Sequence, residues 1–238
     1  MTIEIPLIEH PSQFPDPNQA LTEPNGLLGY GYLLSNELLI KAYYEGIFPW
    51  FNPGEPVFWW SPDPRAAFDP KTTTPSKSLR KKLRQTPFVI KVNAQFEQVI
   101  DECAKATSKR PETWITPEMR LAYRQLHQHG YAHSFEVYQD QQLVGGLYGV
   151  AHGALFFGES MFHIATDASK IALFYLLAFT RHHGFQLVDC QLPNPHLKSL
   201  GAKEVSRKDF LSYLYQYRDV EMPASIWQTQ DITHNFLF

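Results

Sequence analysis

One continuous stretch, residues 143–202, constrains the fold more than any other part of the chain. It opens with two alternating apolar segments that a turn at Gly153 would join into a β-hairpin. Asp167 is a suitable N-cap for the helix that follows, and Gly184 is a suitable residue to end it. Apolar side chains surround nearly the whole of that helix: Ile171, Leu173, Phe174, Leu176 and Leu177. A helix of this kind is buried on all sides, so we expect it at the centre of an α/β unit.

Polar side chains stand where the strands of this unit end. A short buried strand is expected at residues 186–190, directly after the helix. Glu159, Asp189 and Gln191 then fall at strand ends, where open α/β sheets usually carry their functional sites. Asp189 and Gln191 are two residues apart, so on a strand their side chains would point to the same face. The sequence therefore predicts one polar site built from these three residues.

Several long motifs lie in this stretch and before it. They are GIFPWF, FWWSPDPRAAF, KSLRKKLR, GGLYG, FGESMF, DCQ and HLKSLGA, in that order. Their order and spacing resemble the leucyl/phenylalanyl-tRNA–protein transferase family over most of residues 26–210. The resemblance implies a GNAT-like acyltransferase catalytic domain. It also implies transfer of Leu or Phe from aminoacyl-tRNA to the N-terminal Lys or Arg of a protein, with a role in N-end-rule degradation.

A Pro-rich segment predicts how the chain divides into domains. Residues 1–25 contain five prolines and suit an extended arm that lies on a folded surface. The Ser-Pro-Asp-Pro sequence at 61–64 is typical of a boundary between domains. We therefore expect an α/β (α+β) protein with a small N-terminal domain, residues 1–63, and a GNAT-like catalytic domain, residues 64–238.

A short helix is predicted inside the N-terminal domain. Ser35 can cap it, and it should run to about Glu45 before Gly46 ends it. Just ahead of it, Tyr32 and Leu33 stand where the resembled family usually has Gly and Asp. That departure puts the conformation of the turn in question, but not the chemistry further along the chain.

Composition limits the cellular setting and the cofactors. The 238 residues include only two cysteines, and no Cys/His set has the spacing of a zinc site. The longest apolar run, 171–179, is too short to span a membrane, and no secretory signal pattern opens the chain. We therefore expect a cytoplasmic protein that needs no metal or other cofactor and no membrane. The net charge of −3 argues against a globally basic nucleic-acid binder, so tRNA would need a local basic patch.

Aromatic residues cluster between Phe48 and Trp60. Trp59 and Trp60 are expected to fill the core between two subdomains. Trp50 lies between a proline and an Asn-Pro-Gly turn, so its ring would be presented on a loop. Stacking on an aromatic ring contributes about 1–3 kcal/mol per base, and the resemblance supports contact between Trp50 and the terminal adenosine of tRNA. Trp114, on a second loop, is assigned to the tRNA interface as well.

The KSLRKKLR motif predicts a helix with one positive face. Four cations recur at the spacing of that face: Lys77, Arg80, Lys81 and Arg84. A face of this kind is usually just solvated. The run itself contains no acidic partner, however, and the rest of the chain is net acidic. We therefore expect these four side chains to bind tRNA phosphates.

The implied reaction is attack of an α-amine on an aminoacyl ester. An α-amino group has a pKa of about 7.7–8.0, so roughly a tenth is neutral at pH 7. Orientation and proton handling are therefore needed more than a strong base. Asp189 and Gln191 are the expected catalytic pair. Asp189 would accept from the Gln191 NH₂ group while the Gln191 oxygen accepts from the amine, a positioning role more than literal proton transfer.

Two further polar residues and five apolar ones are assigned to substrate. Glu159 by itself could equally be a helix cap or part of an ion pair, but the resemblance implies contact with the amine or with the ester end of the donor. Ser160 lies beside it and lacks the G-x-S-x-G context of a nucleophile. The apolar residues are Phe156, Met161, Leu173, Leu176 and Val188. They are core by default, but the same surface could form a pocket for Leu, Phe or Met. The Tyr123 side chain could line the site or pack in the core, and packing in the core is favoured.

Two other functions compete with this interpretation. A GNAT-type acetyltransferase would need a Gly-rich loop for the pyrophosphate of acetyl-CoA, and residues 163–170 contain no glycine and carry Asp167. A non-catalytic tRNA-binding module would explain the basic helix and Trp50. It would leave Glu159 and the Asp189–Gln191 pair without a role.

Overall fold

The computed structural model describes residues 4–85, 87–106, 113–236 and 238. The α-helices are α1 (Asn36–Tyr44), α2 (Lys77–Arg84), α3 (Phe96–Ala104), α4 (Pro117–Gln128), α5 (Ala168–His182), α6 (Pro195–Ser199) and α7 (Arg207–Tyr217). The strands are β1 (Leu27–Gly31), β2 (Phe48–Pro49), β3 (Val57–Trp60), β4 (Arg65–Phe68), β5 (Val89–Val92), β6 (Ala132–Gln139), β7 (Gln142–His152), β8 (Leu155–His163), β9 (Leu187–Asp189), β10 (Lys203–Val205) and β11 (Gln230–Asp231). The predicted mixed α/β class is confirmed.

Eight strands form the main sheet, in the order β10-β4-β9-β8-β7-β6-β5-β11. All neighbours are antiparallel except β8 and β9, which are parallel and are joined through α5. A parallel pair needs such a crossover, whereas the β7–β8 hairpin closes through a tight turn at Gly153. The predicted hairpin, helix and strand are therefore confirmed in that order.

Among the described helices, α5 is the most fully buried, as its sequence predicts. Twelve of its fifteen residues are buried, and Gly184 follows its end with a φ of +83°. The N-cap prediction for Asp167 is only half right. Asp167 occupies the N-cap position, but with a φ of +67° its side chain makes no cap hydrogen bond. Its carboxylate instead forms ion pairs with Lys82 of α2 and with Lys170, which tie the two helices together.

Apolar clusters lie on both faces of the main sheet. Phe156 of β8 belongs to the cluster that contains α5 and the buried leucines of α2. Its neighbours Leu155 and Phe157 belong to the cluster that contains α1, α3, α4 and α7. Because successive strand residues point to opposite faces, the sheet is sandwiched between these two helical layers.

A smaller three-stranded sheet, β1-β3-β2, carries the N-terminal residues. The proline-rich arm lies against it: Ile8 is fully buried and its N–H donates to the Tyr30 carbonyl at 2.7 Å. Residues 1–3 of the arm lie outside the described residues. Ser35 caps α1 as predicted, and Trp59 is fully buried while Trp60 is half-buried. The predicted domain boundary after residue 63 lies between β3 and β4 and stays a prediction.

Candidate active site

A cavity of about 300 Å³ opens above β8 and β9, between α5 and the loops that follow β2 and precede α4. Most of the side chains that the sequence assigns to substrate, tRNA or catalysis line it: Trp50, Trp114, Glu159, Ser160, Met161, Leu173, Leu176, Val188 and Gln191. The cavity surface is largely apolar, and its polar groups are concentrated near Glu159. The fold therefore brings together residues from five separate elements at one place.

Phe156 does not line this cavity, and its assignment to substrate was wrong. The ring is fully buried on the α5 side, 6.3 Å from the Phe135 ring and 6.1 Å from the Trp227 ring. A separate feature of β8 is a bulge at Glu159. Tyr148 pairs with Ser160 and Gly149 pairs with Gly158, so Glu159 is an extra residue without a cross-strand partner. Such a bulge re-aims the side chains beyond it.

Glu159 is held by three donors at the floor of the cavity. The Tyr43 hydroxyl donates to Oε1 at 2.7 Å, and the Gln191 Nε2 donates to the same oxygen at 2.7 Å. The Tyr123 hydroxyl donates to Oε2 at 3.0 Å. A carboxylate offers about four acceptor positions. Three are used, so one remains for a donor that enters from the cavity.

The two tyrosines and Glu159 form a cluster that is short of one proton. The Tyr43 and Tyr123 hydroxyl oxygens are also only 2.5 Å apart, which makes three short oxygen–oxygen contacts in all. Two hydroxyls carry two protons, so the third contact lacks a donor until Glu159 is protonated. Burial, with the nearby Asp189 charge as a smaller cause, raises the pKa of Glu159 to about 7 in spite of its three donors. The cluster is therefore poised to take up a proton near neutral pH.

Asp189 lies behind this cluster and does not reach the cavity. It is fully buried and forms an ion pair with the fully buried Arg65, whose Nη2 and Nε donate to the carboxylate at 2.5 Å and 3.2 Å. Arg65 Nη1 also donates to the Gly46 carbonyl at 2.9 Å, and the guanidinium lies over the Phe210 ring. Asp189 is therefore a buried anchor and cannot touch a substrate in the cavity.

The predicted contact between Asp189 and Gln191 is real, but its geometry was wrong. Strand β9 ends at Asp189, and Gln191 has a left-handed φ of +57°. The two side chains therefore do not share a strand face. The Gln191 backbone N–H donates to Asp189 Oδ1 at 3.1 Å, and its side-chain NH₂ donates to Glu159 instead. Asp189 thus fixes the Gln191 backbone, and the Gln191 amide joins the Glu159 cluster.

The sequence missed three residues of the site. Tyr43, on α1, and Arg65, on β4, carried no local signal, because each acts through a partner more than a hundred residues away. Tyr123 was expected to pack in the core. It is indeed fully buried, but its hydroxyl also binds Glu159, so the favoured interpretation was incomplete. Cys190 also lines the cavity, and burial raises the pKa of its thiol well above the usual range.

The basic helix forms as predicted. Ser76 caps α2, whose Leu79 and Leu83 are buried. Lys77 and Lys81 are exposed and Arg80 is half-buried, and the side chains of these three make no hydrogen bond or ion pair with another described residue. Arg84 differs, because its Nε donates to the backbone carbonyl of Phe238. Part of the expected positive face is therefore already engaged with the C-terminus.

Trp50 and Trp114 flank the mouth of the cavity. Trp50 follows β2, is 42% exposed, and packs edge-on against Trp60 at 5.8 Å. The Trp60 Nε1 donates to the Trp50 carbonyl at 2.8 Å, which fixes the loop. Trp114 is half-buried and lines the same cavity. It is therefore part of the cavity and is separate from the basic helix α2.

Two features are absent from the described part of the chain. No helix there is long and apolar enough to cross a membrane. No group of three or more His, Cys, Asp or Glu residues there is placed so that it could hold a metal ion.

Comparison with known proteins shows the class of this chain. A family model described as leucyl/phenylalanyl-tRNA protein transferase matches residues 67–215, and the model of that transferase's N-terminal domain matches residues 33–63. The transferase of Shewanella piezotolerans is 50% identical over 219 residues, 92% of this chain and 93% of the relative. That of Shewanella halifaxensis is 50% identical over 227 residues, 95% and 96% of the two chains.

These matches, with the cavity and its polar floor, place the chain among the transferases. It belongs to the leucyl/phenylalanyl-tRNA–protein transferase family. Among solved structures, L-PGS from Bacillus licheniformis is similar over 71% of this chain and 54% of its own, with 15% identity and a TM-score of 0.38. A TM-score of that size does not establish a shared fold.

Proposed function

We propose that this chain transfers Leu, Phe or Met from aminoacyl-tRNA to the N-terminal Lys or Arg of acceptor proteins. The observation that carries this proposal is Glu159, held by three donors at the floor of a largely apolar cavity. The apolar wall suits the side chain of the donor amino acid. The free acceptor position on Glu159 suits an N–H of the acceptor's neutral α-amine.

The step itself is aminolysis of an ester. The α-amine of the acceptor attacks the carbonyl carbon, the C–N bond forms, and the C–O bond to the tRNA ribose breaks. One proton leaves the attacking nitrogen and one arrives on the leaving ribose oxygen. Glu159, with a pKa of about 7, can accept the first as the amine attacks and supply the second. Gln191, fixed from behind by Asp189, positions Glu159 and the amine.

The donor side chain is proposed to lie against Met161, Leu173, Leu176 and Val188. Ser160 and the rings of Trp50 and Trp114 lie beside this wall, where they can contact the ester end and the terminal adenosine. Methionine at position 161 suits a wall that adapts to more than one side chain. The pocket therefore recognises the amino acid by size and apolarity.

Donor selectivity should follow from this wall. One methylene in an apolar pocket changes binding by only about 1–3 kcal/mol, so transfer from Leu-, Phe- and Met-tRNA should proceed at rates within roughly a hundredfold of one another. Asp-tRNA and Gly-tRNA should be much poorer donors. The Asp side chain would bring a charge into the apolar pocket, and glycine has no side chain to fill it. Transfer rates measured with each charged tRNA test this. Comparable rates with Asp-tRNA would contradict an apolar pocket.

The tRNA body is proposed to bind the exposed cations of α2. Replacement of Lys77, Arg80 and Lys81 by Ala should weaken tRNA binding and reduce the salt slope by up to about 0.9 per lost phosphate contact. Lys208→Ala, an exposed lysine of α7, is the matched control. Filter binding at several salt concentrations gives both slopes. Equal slopes for the triple variant and the unaltered chain would mean that this face is merely solvated.

The fold and setting complete the proposal. We infer a GNAT-like catalytic domain at residues 64–238 and a smaller N-terminal domain at 1–63, in a cytoplasmic protein that marks its acceptors for N-end-rule degradation. The boundary lies in the link between β3 and β4, just ahead of Arg65. Residues 163–170 stand where an acetyl-CoA enzyme would need a glycine-rich loop, and the Asp167 carboxylate there pairs with Lys82 of α2 and with Lys170.

The direct test is transfer of radiolabelled Phe from Phe-tRNA to a peptide that begins with Arg. The matched control peptide is the same sequence with an acetylated N-terminus. We expect label on the free peptide and none on the acetylated one. Labelling of both, or of neither, would overturn the proposal.

A further inference from the structure

A second cavity, of about 440 Å³, lies beside the active-site cavity and has no part in the chemistry described above. We name it the α4 groove. It lies between the turn after β1, the β2–β3 loop and the exposed side of α4, and its apolar lining includes Tyr32, Leu33, Phe51, Val57 and Leu121. Tyr32, Leu33 and Leu121 are 67%, 53% and 58% exposed, which is unusual for large apolar side chains gathered in one groove.

The wall of the groove adjoins the wall of the active-site cavity at two points of the chain. Trp50 lines the cavity and the next residue, Phe51, lines the groove. Trp114 lines the cavity and Thr116 lines the groove. One residue spans at most about 3.3–3.6 Å, so at each of these points the two walls lie within roughly 7 Å of each other. A chain with its first residue in the cavity could therefore lay its next few residues in the groove.

Charge indicates which of the two substrates lies there. The lining of the groove carries two carboxylates, Glu55 and Glu118, and among the described residues it carries no Lys or Arg. Both carboxylates are exposed at its rim. A tRNA backbone would be repelled by them and gains little from apolar surface. A polypeptide with apolar and basic residues is complementary both to the apolar lining and to the two carboxylates.

We propose that the α4 groove binds the acceptor protein's residues that follow its N-terminal Lys or Arg. This inference rests on the proposed function and names a subsite for the acceptor of that reaction. Tyr32 and Leu33 provide much of the exposed apolar surface of the groove. The groove therefore prefers acceptors with apolar residues from about the third position onward.

The test compares two acceptors in steady-state transfer from Phe-tRNA. One is an Arg-Ala dipeptide, which ends before the groove, and the other is an Arg-Ala peptide extended by Leu, Tyr and Lys residues. The variants are Leu33→Asp and Leu121→Glu, which place a charge on exposed positions. Val220→Asp, at another exposed apolar position, is the matched control.

We expect both groove variants to raise the KM of the long acceptor about tenfold and to leave the dipeptide KM, kcat and tRNA KM within about twofold. The control should change none of them. Equal effects on both acceptors, or on neither, would overturn the groove assignment, and a raised tRNA KM would assign the groove to tRNA. Failure of the unaltered chain to label even the dipeptide would instead reject the proposed function.

Discussion

Replacing Arg65 by Met is expected to destabilise the folded chain by about 3–5 kcal/mol and to leave it nearly inactive. The guanidinium is fully buried and donates to both oxygens of the Asp189 carboxylate. Methionine fills much of the same volume but donates nothing, so the carboxylate would stay buried without its counter-charge. Urea unfolding followed by circular dichroism measures the loss.

Arg124→Met is the matched control for this prediction. Arg124 also pairs with an aspartate, Asp101, but the two side chains are 31% and 40% exposed. Exposed ion pairs contribute about 0–1 kcal/mol, so this variant should be destabilised little. A loss at Arg65 no larger than the loss at Arg124 would contradict the anchoring role.

A double variant separates the stability of the buried pair from its function. Apolar replacement of a whole buried ion pair is often neutral or stabilising, so Arg65→Met with Asp189→Leu should regain most of the free energy of unfolding. Its kcat should nevertheless stay roughly 10²-fold low, because the Gln191 N–H loses its acceptor and the amide is misplaced. Full recovery of kcat would show that Asp189 is only structural.

Glu159→Gln should lower kcat by roughly 10²–10³-fold with little change in tRNA binding. The amide keeps the size of the side chain but cannot take up a proton. Glu136→Gln is the control, because Glu136 is a fully buried carboxylate that does not line the cavity. It accepts from the N–H groups of Ala94 and Gln95 and from the Ser134 hydroxyl. This control should change stability and leave turnover nearly intact. Near-normal turnover of Glu159→Gln would contradict proton handling by Glu159.

The dependence of kcat/KM on pH is a second measurement that tests the role of Glu159. In the unaltered chain, kcat/KM should rise through pH 7 as Glu159 ionises, and again near the pKa of the amine at about 7.7–8.0. Glu159→Gln should lose the first rise and keep the second. The raised pKa of Glu159 also makes the free energy of unfolding depend on pH. The contribution of Glu159 is fully present below its ordinary pKa and is lost as pH rises through about 7.

Local signals in the sequence predicted the elements well. Ser35 caps α1, Gly184 follows the end of α5, and the apolar side chains around α5 predicted its burial. Each of these depends on neighbours within a few residues. Met161 and Leu173 lie in apolar segments that were expected to form the core, with a pocket in the same surface as the alternative, and both residues line the cavity.

The arrangement at the cavity floor could not be predicted in this way. Glu159 depends on a bulge in β8, and Gln191 depends on a left-handed backbone just beyond β9. An alternating pattern contains neither feature, so the Gln191 amide was given the wrong partner. Arg65 and Tyr43 bind partners more than a hundred residues away. Only the folded sheet brings them together.

The most direct test of Glu159 and Gln191 as one unit is a double-mutant cycle on the single-turnover transfer rate from Phe-tRNA to an Arg peptide. The singles are Glu159→Gln, which removes the charge and the ability to take up a proton, and Gln191→Ala, which removes the donor of the 2.7 Å contact. Residues that act together are not additive. We predict that the double variant is little slower than the slower single. Two losses that simply multiply would show that the residues act independently, and the proposed amine site would be wrong.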